Sequence, residues 1–402
     1  MSGLKLQSTK NVGYVIINTM KTKIKNNNFV AVCHGNNAYA NAINVLERID
    51  LPDLSGKKIL LKPNAGRKVQ PGKAITTNPH VVAAACDFFK KIGAEVTVGE
   101  GTILGVTPFE CLESTGIADE VEKRGIPMID LDAAPADKIE IKDAVVLNFA
   151  RISSAITNFD YIVSIPVMKT HMHCVVTLSI KNMKGCLKGR EKVRLHQLPQ
   201  PSTPVNEKTL DLAIADLSTV LIPDIVLIDG SLGLEGLGPS AGTPKRVDVV
   251  LASTNCFAAD AVAAAIMGIK PEDIPHLRLT AERAGESISI DDISIDPSNW
   301  RDWIKPFELP PKEISLNFPK VEVLDCESCS ACVSTLTMFL KRNYKDIADY
   351  LPLKFAIGKG HDVIPEGTLC VGNCTIKKCG DNKLVKGCPP VASDILKALT
   401  DN

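Results

Sequence analysis

Between Asn28 and Met267, short runs of β-branched and aliphatic residues alternate with stretches whose apolar positions recur every three or four residues. Such alternation marks strand–helix–strand units and a mainly parallel sheet with flanking helices. Phe29 to Cys33 reads as a strand, and Ala38 to Ile49 as a helix with its apolar face at Ala42, Val45, Leu46 and Ile49. Lys58 to Leu61 is the next strand, which breaks at Lys62-Pro63-Asn64 because proline cannot donate to a ladder. The helix Pro79 to Ile92 begins behind the cap Asn78 and ends at Gly93; Glu95 to Val98 follows as a strand running into Gly99-Glu100-Gly101. Further strands are expected over Pro127 to Ile129, Ala144 to Leu147, Tyr161 to Ile165, Asp224 to Ile228 and Val247 to Ala252. The last is followed by the apolar helix Ala258 to Met267.

The pattern changes after about Asp296, where a proline-rich stretch containing tryptophan leads into a cysteine-rich end. There the periodicity predicts a helix over Val333 to Lys341, a strand pair around Phe355 to Gly358 and Gly367 to Val371, and a closing helix, Ala392 to Leu399. A chain of 402 residues exceeds the size at which one core stops growing. The reading is an extension over 1–28, an α/β domain over 29–295 with room for two subdomains, a linker over 296–319, and a small cysteine-rich α+β module over 320–402.

Charge narrows the partners. Lys plus Arg and Asp plus Glu both total 46, so no net field draws the protein to nucleic acid or to an anionic membrane, and any anion recognition is local. The stretch Met1 to Asn28 has only the short apolar run Val12 to Ile17, unlike a secretory signal, and no run approaches the ~18 apolar residues of a membrane span. A cytoplasmic location is the expectation. Thirteen cysteines in such a chain read as thiols and metal ligands rather than disulfides. Cys33, Cys86, Cys111, Cys174, Cys186 and Cys256 are dispersed, most of them as small buried hydrophobes, whereas the other seven fall between Cys326 and Cys388.

Cys326-Glu-Ser-Cys329-Ser-Ala-Cys332 places thiols at i, i+3 and i+6, and Cys388-Pro389 supplies the remote cysteine–proline element of a bacterial ferredoxin pattern. A 4Fe-4S cluster is the expected cofactor, with zinc as the competitor because cysteine knuckles also bind it tetrahedrally. Cys370, Cys374 and Cys379 match no standard ligand set by spacing. They are spare thiols, or Cys374 takes one of the four ligand places, or a second cluster is present. The candidate ligands are therefore Cys326, Cys329, Cys332, Cys374 and Cys388.

In open α/β sheets, ligands bind beyond the carboxyl ends of the strands. Those ends carry Lys62 and Asn64, then Glu100, Asp130 and Asp132, then Lys169, His171 and His173, then Asp229 with the loop Gly230 to Gly242. In an extended backbone Lys169, His171 and His173 leave the same face, so they are candidates for catalysis or metal ligation at one point. Lys181, Asn182 and Lys184, followed by Lys188, Arg190, Lys192 and Arg194, form a local basic stretch suited to a small anionic metabolite. Gly236 and Gly238 offer backbone N–H groups to such an anion, although their spacing fits neither a dinucleotide fingerprint nor a P-loop, so NAD and ATP are not indicated.

Taken in order, Lys62-Pro63-Asn64, Thr77-Asn78-Pro79, Gly99-Glu100-Gly101, Lys169-Thr170-His171, Thr177-Leu-Ser-Ile-Lys-Asn-Met-Lys-Gly185, Asp229-Gly230, Gly236-x-Gly238-Pro239 and Asp260-Ala261-Val262 resemble domain of unknown function 362. That family is related in proposed fold to the nickel-pincer lactate racemases, and several members carry a ferredoxin-like C-terminal module. The resemblance implies a Rossmann-like, racemase-like fold and, by analogy, Lys169, His171 and His173 as holders of a nickel cofactor. Three functions follow as expectations. The first is a redox or cluster-dependent enzyme passing electrons to chemistry in the crevice. The second is a metal or cluster delivery factor acting on an acceptor protein, and the third a racemase-like nickel enzyme with a structural cluster.

Overall fold

The computed structural model describes residue 24 and residues 27–103, 105–201, 205–310 and 318–400; most of the N-terminal extension and residues 311–317 of the linker lie outside them. The α/β region runs β1 (Phe29–His34), α1 (Ala38–Leu46), β2 (Lys58–Pro63), α2 (Pro79–Lys91), β3 (Glu95–Glu100), α3 (Pro108–Ser114), α4 (Ile117–Glu122) and β4 (Met128–Asp130). It continues with β5 (Ala136–Glu140), β6 (Phe149–Ser153), β7 (Tyr161–Ile165), β8 (Val167–His171), β9 (Val175–Thr177), α5 (Ser179–Asn182), α6 (Glu191–Arg194) and α7 (Thr209–Ser218). Then come β10 (Ile225–Glu235), β11 (Thr243–Ser253), α8 (Cys256–Ile266), α9 (Pro275–Ala284) and β12 (Ser294–Asp296).

The main sheet has the order β12-β1-β11-β10-β7-β2-β3-β4, with β8 joined to β10 and β9 to β8. From β10 to β4 every neighbour is parallel; only β11 and the pair β8–β9 introduce antiparallel ladders within the sheet. Strands buried on both faces need apolar residues on both sides. In β2, Ile59 and Leu61 face a core with α1 and α2, while Leu60 faces a second core with α8 and α9. The cap anticipated at Asn78 forms, its side chain accepting from His80 N–H at 3.0 Å, and Pro79 occupies the first helical turn.

Two stretches depart from the periodicity. Ala144 to Leu147, expected as a strand, is a loop between β6 and its antiparallel partner β5. The buried carboxylate of Asp216 accepts from the N–H groups of Val145, Val146 and Leu147 at 2.8–3.1 Å, so a side chain replaces the neighbouring strand. Of the glycine-rich segment after Asp229, Gly230 to Glu235 is the end of β10 rather than loop, and residues 236–242 are the turn of a long β10–β11 hairpin. A Cβ on Gly233 would stand 2.5 Å from the Phe307 ring, and one on Gly238 only 1.9 Å from the Thr170 carbonyl oxygen. These glycines let the hairpin lie against β8.

The C-terminal region forms a second sheet, β13 (Val321–Asp325), β14 (Leu353–Ile357), β15 (Leu369–Val371) and β16 (Leu384–Val385), with α10 (Ser330–Asn343) crossing between β13 and β14 and α11 (Ala392–Thr400) last. The anticipated strand pair is thus part of four sequential parallel strands around a core of Leu336, Phe339, Phe355, Ile357 and Ile395. This region seats against the α/β domain. Ser334 of α10 bonds Ser240 at 2.9 Å, Lys341 donates to the Ala241 carbonyl at 2.6 Å, and Lys359 donates to the carbonyls of Gln197 and Leu198 at 3.2 Å. No described helix is long and apolar enough to cross a membrane.

Candidate functional site

The seam between the two regions encloses a cavity of about 200 Å³ at the carboxyl ends of β2 and β3. Strand ends deliver Lys62 and Glu100, the loop after β2 delivers Asn64 and Arg67, and alternate positions of β8 deliver Lys169 and His171. Lys181 and Asn182 come from α5, whose first turn is held by Asp260: its carboxylate accepts from Ser179 N–H at 2.8 Å and Ile180 N–H at 3.1 Å. Burial pushes Asp260 up to about 6. Lys184, Lys192 and His196 complete the basic wall, and Cys329, Cys388 and Pro389 of the C-terminal region close the cavity.

Most of these groups are already committed to one another. Lys62 pairs with Glu100 at 2.6 Å, each 1% exposed. Glu100 also accepts from Ala65 N–H at 2.7 Å, and Asn182 bridges Lys62 and Asn64 through its amide oxygen. The pair lies against Gly185, where a Cβ would come within 2.5 Å of the Lys62 ammonium. Lys169 donates to the Asn64 amide oxygen and, at 2.8 Å, to the Ile75 carbonyl. Burial, then the charges of Lys181 and Arg67, hold its pKa well below the usual lysine value. Lys184 meets Nε2 of His196, and burial followed by Lys181 lowers its pKa to about 7. Among the described residues, Arg67 and Lys181 have no hydrogen-bonding or ion-pair acceptor for their charged groups. The cavity therefore has cationic capacity that Glu100 alone does not neutralise, which suits a compact anion.

The imidazoles separate. β8 ends at His171, and the turn into β9 carries His173 to a different cavity, beside His196, Lys208 and Asp325, with its ring centroid 6.2 Å from that of His171. His171 Nδ1 accepts from the N–H groups of His173 at 3.1 Å and Cys174 at 3.3 Å, so its proton resides on Nε2. Burial, then Lys181, keeps its pKa well below the usual value, leaving a neutral N–H donor. Lys169 and His171 line one cavity and His173 another, and the Nδ1 lone pair of His171 is already taken by two backbone N–H groups. These residues do not fit the nickel role that the racemase analogy suggested.

Asp229, Gly236 and Gly238 also lie outside this cavity. The Asp229 carboxylate accepts from Asn78 N–H at 2.7 Å and from Ser231 Oγ at 2.6 Å, tying α2 to the sheet. The Gly236 N–H donates to the Glu308 carbonyl and that of Gly238 to the Gly236 carbonyl, both at 2.7 Å, so neither is free to cradle an anion. Sequence reasoning missed Arg67 and His196. Arg67 sits three residues past Asn64 in the same strand-end loop, a position that could have been weighed; His196 carries no local signal.

The seven C-terminal thiols sort into groups. Cys329 caps α10 and Cys332 lies one turn on, so both use one helix face. The neighbouring Cys329 thiol, then burial, then Cys374 and Cys388 push the Cys332 thiol up. Cys374 is pushed up by burial and Cys329, and Cys388 by burial, Cys329 and Cys374. The electrostatics of these four thiols are linked, each acting on or feeling the others. Cys326 stands apart, beside Glu327, Asp325 and Asp362, because its N–H and carbonyl are fastened to Ile357 and Gly360. Cys370 and Cys379 pair behind the small sheet, with burial and then Cys379 pushing Cys370 up to about 12. The four-thiol group, packed against Gly372 whose Cβ would stand 3.1 Å from Cys332 Sγ, has the donor chemistry of an iron–sulfur ligand set.

Comparison with known proteins agrees with the order of sequence markers. The model of a family described as domain of unknown function DUF362 matches residues 59–265. The thylakoid-associated protein sll1697 of Synechocystis is 27% identical over 272 residues, covering 66% of this chain and 81% of that protein. Among solved structures, the lactate racemase apoprotein from Thermoanaerobacterium thermosaccharolyticum aligns with a TM-score of 0.41 at 11% identity. That alignment covers 60% of this chain and 57% of the racemase chain, less than two thirds of its length. The matched family span takes in just over half of the sequence, from β2 to α8, and with it every strand end around the cavity: the chain belongs to the DUF362 family.

Proposed function

We propose that this is an iron–sulfur protein in which a cluster held by Cys329, Cys332, Cys374 and Cys388 serves redox chemistry on a small anionic substrate in the lysine-lined cavity. One observation carries the reading: Cys329 and Cys388 belong to the wall of the same cavity as Lys62, Lys169, His171 and Lys181. A bound cluster supplies one-electron transfer. The chain's own residues do the rest. Arg67 and Lys181 pair with a carboxylate or phosphate, His171 offers an N–H donor, and Lys169, whose pKa burial holds well below the usual lysine value, gives up its proton more readily than an ordinary lysine. The lysines also lie beside the thiols, so their charge offsets that of a thiolate-bound centre.

Anaerobic purification followed by iron and acid-labile sulfide analysis is the test. Iron and sulfide in equal amounts, with a visible absorption that bleaches on one-electron reduction, support the reading; a colourless zinc protein overturns it. The delivery reading is favoured by the three cysteines left outside the group, Cys326, Cys370 and Cys379. It predicts that iron leaves for an apo-acceptor protein on mixing, whereas the redox reading predicts that iron stays bound through repeated reduction and oxidation.

A further inference from the structure

Away from the cavity, three side chains of ligating type meet in the interior. Cys174 lies in the turn between β8 and β9, Asp211 in the first turns of α7 and His276 at the start of α9. One donor atom from each lies within 4.8 Å of the other two, and the residues are 0%, 1% and 1% exposed. Asp211 Oδ1 and His276 Nδ1 stand 3.5 Å apart, yet neither has a hydrogen-bond partner among the described residues. Buried polar atoms are almost always satisfied, and two facing each other without a bond call for something between them.

We propose that Cys174, Asp211 and His276 bind a zinc ion. One thiolate, one imidazole and one carboxylate form a donor set suited to zinc, whereas calcium and magnesium take oxygen ligands. The ion satisfies both orphaned atoms at once, and binding releases the thiol proton of Cys174. Three protein ligands leave a fourth place for water. The location assigns the ion a bracing role, because it joins α7 and α9 to the β8–β9 turn. That turn supplies the His173 and Cys174 N–H groups that hold His171 Nδ1, so the ion positions the imidazole in the cavity wall without touching that cavity.

The site is separable from the four-cysteine group. Full-length protein purified anaerobically from zinc-supplemented cells is expected to hold one zinc per chain in addition to any iron. Cys174→Ser, Asp211→Asn and His276→Gln each lose the zinc and keep the iron, while Cys329→Ser loses iron and keeps this zinc. X-ray absorption at the zinc edge of the unaltered protein needs no variant: a shell of one sulfur with nitrogen and oxygen neighbours supports the proposal, and a four-sulfur shell or no bound zinc overturns it. Zinc content unchanged in all three variants overturns it as well.

Discussion

The lysine-lined cavity and the thiol group beside it are built on opposite terms. In the cavity, buried charges are largely satisfied within the protein: Lys62 by Glu100, Lys192 by Asp132, Lys169 by Asn64 and a carbonyl. In the thiol group, Cys329, Cys332, Cys374 and Cys388 raise one another's pKa, and a Gln197 amide lies 3.8 Å from Cys374 Sγ. A network of that first kind stands preorganised before any ligand arrives, whereas thiols crowded together gain stability only when something binds them. Ligand loss should therefore be felt unequally on the two sides of the seam.

Cys332→Ser has the largest expected effect. Bound metal should fall to a small fraction of that in the unaltered protein, measured by metal analysis, while Cys326→Ser retains it; equal losses in the two variants would erase the division drawn between these thiols. On the other side, Glu100→Gln leaves Lys62 buried without its counter-charge. Removing one partner of a buried pair costs about 3–5 kcal/mol, so urea unfolding should shift accordingly with metal content preserved. Gly185→Ala should be milder, about 1–3 kcal/mol, as the new methyl displaces the Lys62–Glu100 pair, and its clearest readout is weakened binding of small carboxylates or phosphates by calorimetry.

Lys184 is lowered from its usual value to about 7, so the folded chain binds fewer protons there than the unfolded one above that pH. Its contribution makes folding less favourable below about pH 7 and progressively more favourable as pH climbs toward the ordinary lysine range. Anion affinity runs the other way, strongest below about pH 7, where Lys184 is charged. Opposite slopes for unfolding and for anion binding are the expected result, and Lys184→Met should flatten both. The smallest effect belongs to Lys359→Ala, which removes two exposed hydrogen bonds across the seam and should cost no more than about 1 kcal/mol.

Much of the cavity was legible in the chain because its residues follow strand ends. Lys62, Asn64, Glu100, Lys169 and His171 each come at or just past the point where a β-branched run stops, and parallel strands present those ends on one side of a sheet. The same logic misplaced His173, since alternation across a strand holds only while the strand lasts, and β8 stops two residues earlier. It also misplaced Asp229 and its glycines. A glycine-rich run reads alike whether its N–H groups are free or, as here for Gly236 and Gly238, already given to backbone carbonyls.

The parallel α/β architecture and the strand-end lysines are written locally in the chain, because hydrophobic period, prolines and caps act over a few residues. Which thiols act on one another, and what faces them, follows from how the chain folds back. Cys326 is three residues from Cys329 yet is fastened to β14, while Cys374 and Cys388 arrive from far along the chain. Sequence separation carries no distance once a chain folds back on itself. The same is true of Cys174, Asp211 and His276, which three separate elements bring together in the core.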